Sequence, residues 1–347
     1  MSFSYTDALV REIELSEYKG ILDTVYIGGG TPTYLDAKLI QKIMKAVREN
    51  FTLTEDCEIT IECNPGTADL KKLRALKDCG INRLSIGLQS DNDEILKTLG
   101  RIHTYAEFKD CLFSAAEAGF ENISIDLMFG LPGQTAEIWN ETLRRAVKLP
   151  ISHISAYALK IEPGTPFYTL HKNGNLTVPD DDLSRNMYDD CVKILSENGF
   201  ERYEISNFAK SEKYSRHNLK YWTGGDYIGF GAGACSRIGL RRFSNLRGIG
   251  EYIAAIEKYG TAENKSETII NNKSDAMSEY VFLALRLDSG INKTEFNNKF
   301  GIDIYEVFQK PLEKHIKLTK VLTDSGGHIK IKPEYTYVSN IIMADFT

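Results

Sequence analysis

The chain has 347 residues, enough for one large domain with an appendage or for two domains, and its 42% hydrophobic and 26% charged content is that of a water-soluble globular protein. Its 42 basic against 48 acidic residues leave a net charge of −6, which argues against nucleic acid or an anionic membrane as the main partner. No run reaches the roughly 18 apolar residues of a membrane span, and the first twenty residues lack the basic-then-apolar order of a signal peptide, so a cytoplasmic protein with a small-molecule or protein partner is expected.

A first amphipathic helix is predicted over Tyr5–Leu15, with Ala8, Leu9 and Ile13 on its apolar face. Strands are then predicted over 23–28, 57–63, 82–88, 121–128 and 152–159, separated by helical stretches that often close on glycine, as at Gly80, Gly100 and Gly119. This βα rhythm, with right-handed crossovers, gives a parallel sheet with helices outside, open or closed into a barrel. The loops after the strands favour the barrel. Gly28-Gly29-Gly30-Thr31 follows the first, Glu62-Cys63-Asn64-Pro65-Gly66-Thr67 the second and Gly87-Leu88-Gln89-Ser90 the third. Asp126 to Gly133 and Tyr157-Ala158-Leu159-Lys160 follow the last two, so all five converge on the C-terminal face, where such folds place their sites. Three successive glycines let main-chain groups approach a carboxylate, ammonium or phosphate directly.

From about Asp181 a long helix runs to near Gly199, and a more irregular region follows. Within it, the glycine alternation of Gly229–Ser236 predicts strand and close backbone packing. From about Ala276 two short helices, a linker helix and a hairpin around Gly326-Gly327 resemble a winged helix. Residues 273–347 hold 10 basic and 10 acidic side chains, so a DNA-binding footprint is absent and a lid or cap is expected.

The six cysteines, Cys57, Cys63, Cys79, Cys111, Cys191 and Cys235, are scattered without close pairs or CxxC spacing, which predicts reduced thiols. Cys57 and Cys63, six residues apart on one strand, would be separated by about 20 Å. Cys79 and Cys111 read as small hydrophobes on apolar helix faces. Arg237, Arg241 and Arg242 read equally as anion contacts or as a solvated charge run. His103 reads as a pocket-wall or helix-end residue, and His153, His315 and His328 have no constellation around them.

In order, YIGGGTPTYL, ECNPGT, RLSIGLQS, LGRIH, DLMFGLPGQT, SAYALKIEPGTPF, YEISNFA, RHNLKYW and GFGAGACS resemble the radical S-adenosylmethionine proteins of the oxygen-independent coproporphyrinogen oxidase group. The resemblance is closer to the heme-chaperone branch of that group, through the HNxxYW form at His217, and runs from about Tyr5 to the end of the chain. It implies an α/β fold: a partial (β/α)6 TIM-type barrel with its first strand missing, plus a small C-terminal α+β winged-helix-like domain. The implied domains are a truncated barrel over 1–180, a family-specific extension carrying HNxxYW over 181–272, and a coproporphyrinogen-oxidase-type C-terminal domain over 273–347.

By position, the resemblance implies that Gly29, Gly30 and Thr31 receive the methionine amino group of S-adenosylmethionine, and that Glu62, Gln89, Arg101, Asp126 and Ala158 make further contacts with it. Glu62 and Asp126 can accept from an ammonium and hydroxyls, and Arg101 can neutralise a carboxylate with two donors. It also implies a [4Fe–4S] cluster on a CxxxCxxC loop. That loop is expected upstream of Met1, with no metal ligand in this chain and with an exposed barrel edge that lowers stability. Heme is the implied cargo, with His217 either a ligand through imidazole or a hydrogen-bonded structural histidine, and with Tyr221 and Trp222 packing on a porphyrin face. Heme would pass to an acceptor protein at a membrane or in respiration, with a homodimer as a further possibility. Two alternatives follow from the same motifs: a coproporphyrinogen-oxidase-like radical decarboxylase, which needs the cluster loop, and a nonfunctional truncated fragment.

Overall fold

The structure is a computed structural model that describes residues 2–261 and 263–347. A first helix, Ser2–Leu15, precedes β1 (Ile21–Ile27), and the chain then alternates through β2 (Thr52–Cys63), β3 (Arg83–Gln89), β4 (Asn122–Phe129) and β5 (His153–Ala158). Helices Ala37–Asn50, Leu70–Asp78, Tyr105–Glu117 and Ala136–Ala146 fill the intervals. After the long helix Asp181–Glu197 come β6 (Glu201–Arg202) and β7 (Asn207–Ala209), which complete a sheet of order β1-β2-β3-β4-β5-β7-β6.

Strands β2 to β5 pair in parallel, whereas β7 joins β5 and β6 antiparallel. The result is the expected α/β barrel-type sheet, curled into an open half-barrel. Register sets the site: Glu62 lies opposite Ser85, Gly87 opposite Asp126, and Asp126 opposite Ser155. The C-terminal ends of four strands therefore present their polar residues at one level. Strand β2 begins five residues ahead of the predicted 57–63, because Thr52–Asp56 extends it as an exposed or half-buried lead-in without the apolar run that marks the rest.

The chain forms two compact units, each assembled from separated pieces. One comprises Tyr26–Ala37 and Glu58–Tyr214. Its core is the near-continuous apolar run of the parallel strands, such as Leu84, Ile86, Ile123, Ile125, Leu127 and Ile154, all fully buried as expected for a sheet covered by helices. Trp139 packs against Phe129 and donates its indole N–H to the Met187 carbonyl at 2.8 Å, fixing helix Ala136–Ala146 to helix Asp181–Glu197. At the opposite end of the strands Arg83, 2% exposed, donates to Asn122 Oδ1 at 2.8 Å and to the Lys213 carbonyl at 3.1 Å. His153, without a constellation in the sequence, is a buried structural residue. Its ring nitrogens meet Ser124 Oγ and Tyr203 Oη at 2.8 Å each, and burial holds its pKa well below the usual histidine range.

The other unit comprises Met1–Val25, Lys38–Cys57 and Ser215–Thr347. It contains a sheet of order β10-β9-β8, formed by β8 (Cys235–Ile238), β9 (Arg241–Asn245) and β10 (Glu263–Ile270). The predicted strand over 229–236 holds only from Cys235 onward. Residues 229–234 are a loop, because the loop wraps a buried carboxylate. Glu12 Oε2 accepts from the Gly231 N–H and Tyr252 Oη, and Oε1 accepts from Asn245 Nδ2, each at 2.8 Å. Toward the C-terminus, helices Lys273–Ala284, Lys293–Phe300 and Ile304–Glu313 accompany a sheet of order β11-β13-β12. These strands are β11 (Ile291–Asn292), β12 (Leu322–Ser325) and β13 (His328–Ile331), and Gly326-Gly327 turns the hairpin as predicted. Aromatic side chains Tyr280, Phe296, Phe300 and Phe308 pack together as the core of this part.

Candidate functional site

Strand β1 delivers the chain into Gly28–Thr31 with two residues in the left-handed region, Gly29 at φ +85° and Gly30 at φ +65°. That turn aims the Gly29 N–H at Glu62 Oε2, 3.0 Å away. Tyr26 Oη donates to the other oxygen, Oε1, at 2.9 Å. Gly28 lies between them: a Cβ there would stand 2.5 Å from Tyr26 Cε1 and 2.9 Å from Glu62 Oε1. The carboxylate of Glu62 is thus oriented through both oxygens by the glycine turn itself.

The loop after β2 is tied to the same turn. Asn64 Nδ2 donates to Thr31 Oγ1 at 2.7 Å, and the Asn64 N–H to Thr33 Oγ1 at 3.3 Å. Lys72 reaches the carbonyls of Thr33 and Thr67. At the end of β3, Gln89 adopts φ +70°, a left-handed conformation unusual for a residue with a side chain. Asp126, on β4, accepts from Ser85 Oγ at 3.3 and 3.4 Å. Burial raises its pKa to about 6, and the nearby charge of Glu62 adds to the rise, while Ser155, Ser85 and Arg83 oppose it. Burial, reinforced by these carboxylates, also raises the Tyr26 phenol. Arg101 follows Gly100, whose φ of +69° ends helix Asp93–Thr98, and its N–H bonds back to the Leu96 carbonyl at 2.9 Å.

These groups surround a cavity of about 210 Å³. Of the residues singled out in the sequence, Gly30, Thr31, Glu62, Gln89, Arg101 and Asp126 line it. Gly29 is bonded to Glu62 beside it, and Ala158 ends β5 opposite Phe129, outside the lining. Asn64, Ser85 and Gly87 also line the cavity, and Tyr26 braces it. The loop motifs contained Asn64 and Gly87, whereas Tyr26 and Ser85, inside the strands, were not singled out as site residues. Their signal was the alternation that points Tyr26 and Ser85 to the same side as the end-of-strand acids. The cavity offers carboxylates, a guanidinium and neutral amides and hydroxyls within one small volume. Such a set complements a ligand carrying an ammonium, a carboxylate and hydroxyls.

In the other unit, helix Arg216–Trp222 starts on Ser215, whose Oγ accepts from the Asn218 N–H at 3.4 Å. His217 Nδ1 meets Thr24 Oγ1 and Nε2 meets Tyr221 Oη, both at 2.9 Å, and the two rings pack edge to face at 5.2 Å. Burial pushes the imidazole pKa down to about 4, with Asp23 opposing and Lys220 assisting, so the ring is neutral near pH 7. The structure brings His217 and Tyr221 together, whereas Trp222 lies under the Arg286 guanidinium at 4.2 Å.

Two sequence expectations change. Arg237 and Arg242 are not a solvated run: both pair with Glu279, at 3.0 and 2.5 Å, and Arg241 stacks over Phe243 at 4.4 Å. Nor are all the cysteines apart, since Cys63 and Cys111 bring their sulfurs to 3.8 Å. Among the described residues no group of three or more His, Cys, Asp or Glu side chains is placed to hold a metal ion, and no helix is long and apolar enough to cross a membrane.

The family model of the radical SAM superfamily matches residues 3–146, and that of the HemN C-terminal domain matches residues 271–334. The chain is 34% identical to the heme chaperone HemW of Lactococcus lactis over 92% of its own length and 83% of that protein. It is 38% identical to HemW of Bacillus subtilis, over 84% of this chain and 77% of that one. The mitochondrial radical S-adenosyl methionine domain-containing protein 1 of Mus musculus is 32% identical over 88% and 71% of the two chains. Among solved structures, coproporphyrinogen III oxidase (HemN) from Escherichia coli, a radical SAM enzyme, superposes with a TM-score of 0.84 over 99% of this chain and 83% of that one. At 24% identity this is a likeness of fold.

Proposed function

The chain belongs to the HemW family of radical SAM proteins, and from that premise we propose that it binds heme and passes it to an acceptor protein, with S-adenosylmethionine held in the cavity at the strand ends. The observation that carries this reading is the similarity to heme chaperones over nearly the whole chain, which extends beyond the barrel through the segment of His217. In this reading residues 1–180 supply the cofactor barrel, 181–272 the heme-binding extension and 273–347 a cap.

The cavity's donor set fits S-adenosylmethionine. Glu62 keeps one lone pair on each oxygen for the ammonium, beside the open glycine backbone of Gly29, Gly30 and Thr31. Arg101 is the counter-charge for the carboxylate, and Asp126 and Gln89 answer the ribose hydroxyls and the base; Ala158 is assigned a backbone contact at the rim. When bound, the cofactor supplies a reactive sulfonium, and the protein supplies orientation. No cluster-ligating set stands among the described residues.

For the heme cargo, the neutral imidazole of His217 is in the protonation state that ligates iron. Its Nε2 becomes a ligand when the Tyr221 hydroxyl swings away, and Tyr221 and Trp222 then offer ring faces to the porphyrin. The acceptor is a protein, membrane-associated or respiratory, reached from the cytoplasm, and the chain can act as a homodimer. The test is an anaerobic heme titration followed by absorbance, on this chain and on His217→Ala, with and without S-adenosylmethionine. Saturable binding near one heme per chain, weakened at least tenfold by the substitution, is expected; the absence of saturable binding would reject the proposal.

A further inference from the structure

Cys63 and Cys111 lie 48 residues apart in sequence, one closing β2 and the other midway along helix Tyr105–Glu117, yet their sulfurs are in contact at 3.8 Å. Both are almost fully buried, at 1% and 4% exposure, in the layer between the sheet and the helix. They differ in what else they meet. Cys63 sits between Glu62 and Asn64 and contributes to the wall of the strand-end cavity. The cavity therefore borders the residue that carries one sulfur of the pair.

We propose that Cys63 and Cys111 form a redox modification site, in which a hydroperoxide entering through the cavity oxidises the pair reversibly to a disulfide that ties the Glu62 loop to helix Tyr105–Glu117. A disulfide requires the sulfurs to close from 3.8 Å to about 2.05 Å. The environment distinguishes the two thiols. Cys63 is surrounded by donors, Cys111 first and then Thr33 and Thr67, with the Lys72 charge nearby, and its pKa is lowered despite burial. Cys111 is raised by giving its hydrogen bond to Cys63 and by burial. Cys63, which borders the cavity, is the attacking sulfur, and Cys111, which does not, is the resolving one.

The chemistry balances with peroxide as the oxidant. The Cys63 thiolate attacks one peroxide oxygen, the O–O bond breaks, and hydroxide leaves and takes up a proton to become water. The Cys111 sulfur then attacks the Cys63 sulfenic sulfur, forming the S–S bond and releasing the hydroxyl, which departs as water with the Cys111 proton. Two electrons pass from the sulfurs to the peroxide, and a dithiol reductant returns them. Of the other cysteines, Cys57 and Cys191 are buried, the latter with its pKa raised by desolvation, Cys79 donates to the Leu76 carbonyl at 3.1 Å, and Cys235 is exposed.

The experiment treats the whole chain, reduced and desalted under anaerobic conditions, with a few-fold excess of hydrogen peroxide, blocks remaining thiols with N-ethylmaleimide, and maps the peptides by mass spectrometry. The expected product is the Cys63 and Cys111 peptides joined with loss of two hydrogens, in at least tenfold excess over any other linkage and reversed by dithiothreitol. In Cys111→Ser, dimedone should trap a sulfenic acid at Cys63; in Cys63→Ser, Cys111 should be recovered as a blocked thiol. Recovery of both cysteines as blocked thiols while exposed Cys235 is oxidised would overturn the proposal, as would Cys63 joined elsewhere. The map of the unsubstituted chain decides the matter even where a variant fails to fold.

Discussion

Tyr26 and Glu62 are joined by a 2.9 Å hydrogen bond in which the phenol holds the carboxylate from the side opposite the Gly29 N–H. In Tyr26→Phe the carboxylate keeps its backbone donor and loses its phenolic one, so it is present but less firmly aimed. We expect the affinity for S-adenosylmethionine to fall about 5- to 10-fold, roughly 1–1.4 kcal/mol, with little change in fold. Isothermal titration calorimetry measures this directly; an unchanged dissociation constant would remove the bracing role from Tyr26.

Gly28→Ala should be more damaging than its size implies. Its methyl group would stand 2.5 Å from Tyr26 Cε1 and 2.9 Å from Glu62 Oε1, so both must move. Overpacking of this kind costs about 1–3 kcal/mol. The expected readout is a melting temperature lowered by several degrees together with loss of detectable cofactor binding, by differential scanning calorimetry and titration. A variant that melts and binds like the parent would mean that the turn adapts at no cost.

The pH dependence of stability combines two opposed groups. Asp126 has its folded pKa raised to about 6, so the folded state holds a proton that the unfolded chain has already released. Its contribution is complete below the ordinary aspartate range and is lost as pH rises toward about 6. His217 has its folded pKa lowered to about 4, so its contribution is complete above the ordinary histidine value and is lost as pH falls toward about 4. Each shift is worth about 3 kcal/mol, and between pH 4 and 6.5 they largely cancel. Thermal melts should therefore show a shallow wild-type profile, a steeper acid loss in Asp126→Asn, and a profile falling toward neutral pH in His217→Phe. Parallel profiles for all three proteins would refute the assignment.

Tyr221→Phe removes the hydroxyl that faces His217 Nε2 at 2.9 Å. If iron takes that nitrogen, the substitution eliminates a bond that heme would otherwise displace, and the heme affinity should rise by about fivefold, equivalent to a typical hydrogen bond of roughly 1 kcal/mol. A fall in affinity measured by absorbance titration would instead place the Tyr221 hydroxyl among the groups that hold heme.

Much of the barrel was legible because local patterns survive in it. Apolar runs marked β1 to β5, glycines closed the helices, and Glu62, Gln89 and Asp126 were conspicuous as polar residues ending apolar strands. What escaped was set by pairing across long separations. Cys63 and Cys111 meet where the end of β2 reaches helix Tyr105–Glu117, and no spacing rule connects positions 48 residues apart. The glycines before Cys235 imitate strand alternation, and only the buried carboxylate of Glu12, from the first helix, explains why they form a loop. Arg237 and Arg242 read equally as anion contacts or surface charge until Glu279, some forty residues later, supplied a shared partner. The interleaved make-up of the two compact units was likewise beyond local reading, because Lys38–Cys57 belongs with the chain ends rather than with its sequence neighbours.

Gln89 keeps a side chain in a backbone conformation that glycine would occupy at lower energy, φ +70°, at the lip of the cavity. A laboratory selection for heat resistance would therefore accept Gln89→Gly early, since relief of a left-handed residue is worth on the order of 1 kcal/mol. The same step would erase an amide from the cavity wall. Variants of this protein chosen for robustness alone would thus drift toward an intact barrel that grips its ligand less well, and any programme to harden the scaffold needs a binding screen alongside the melting screen.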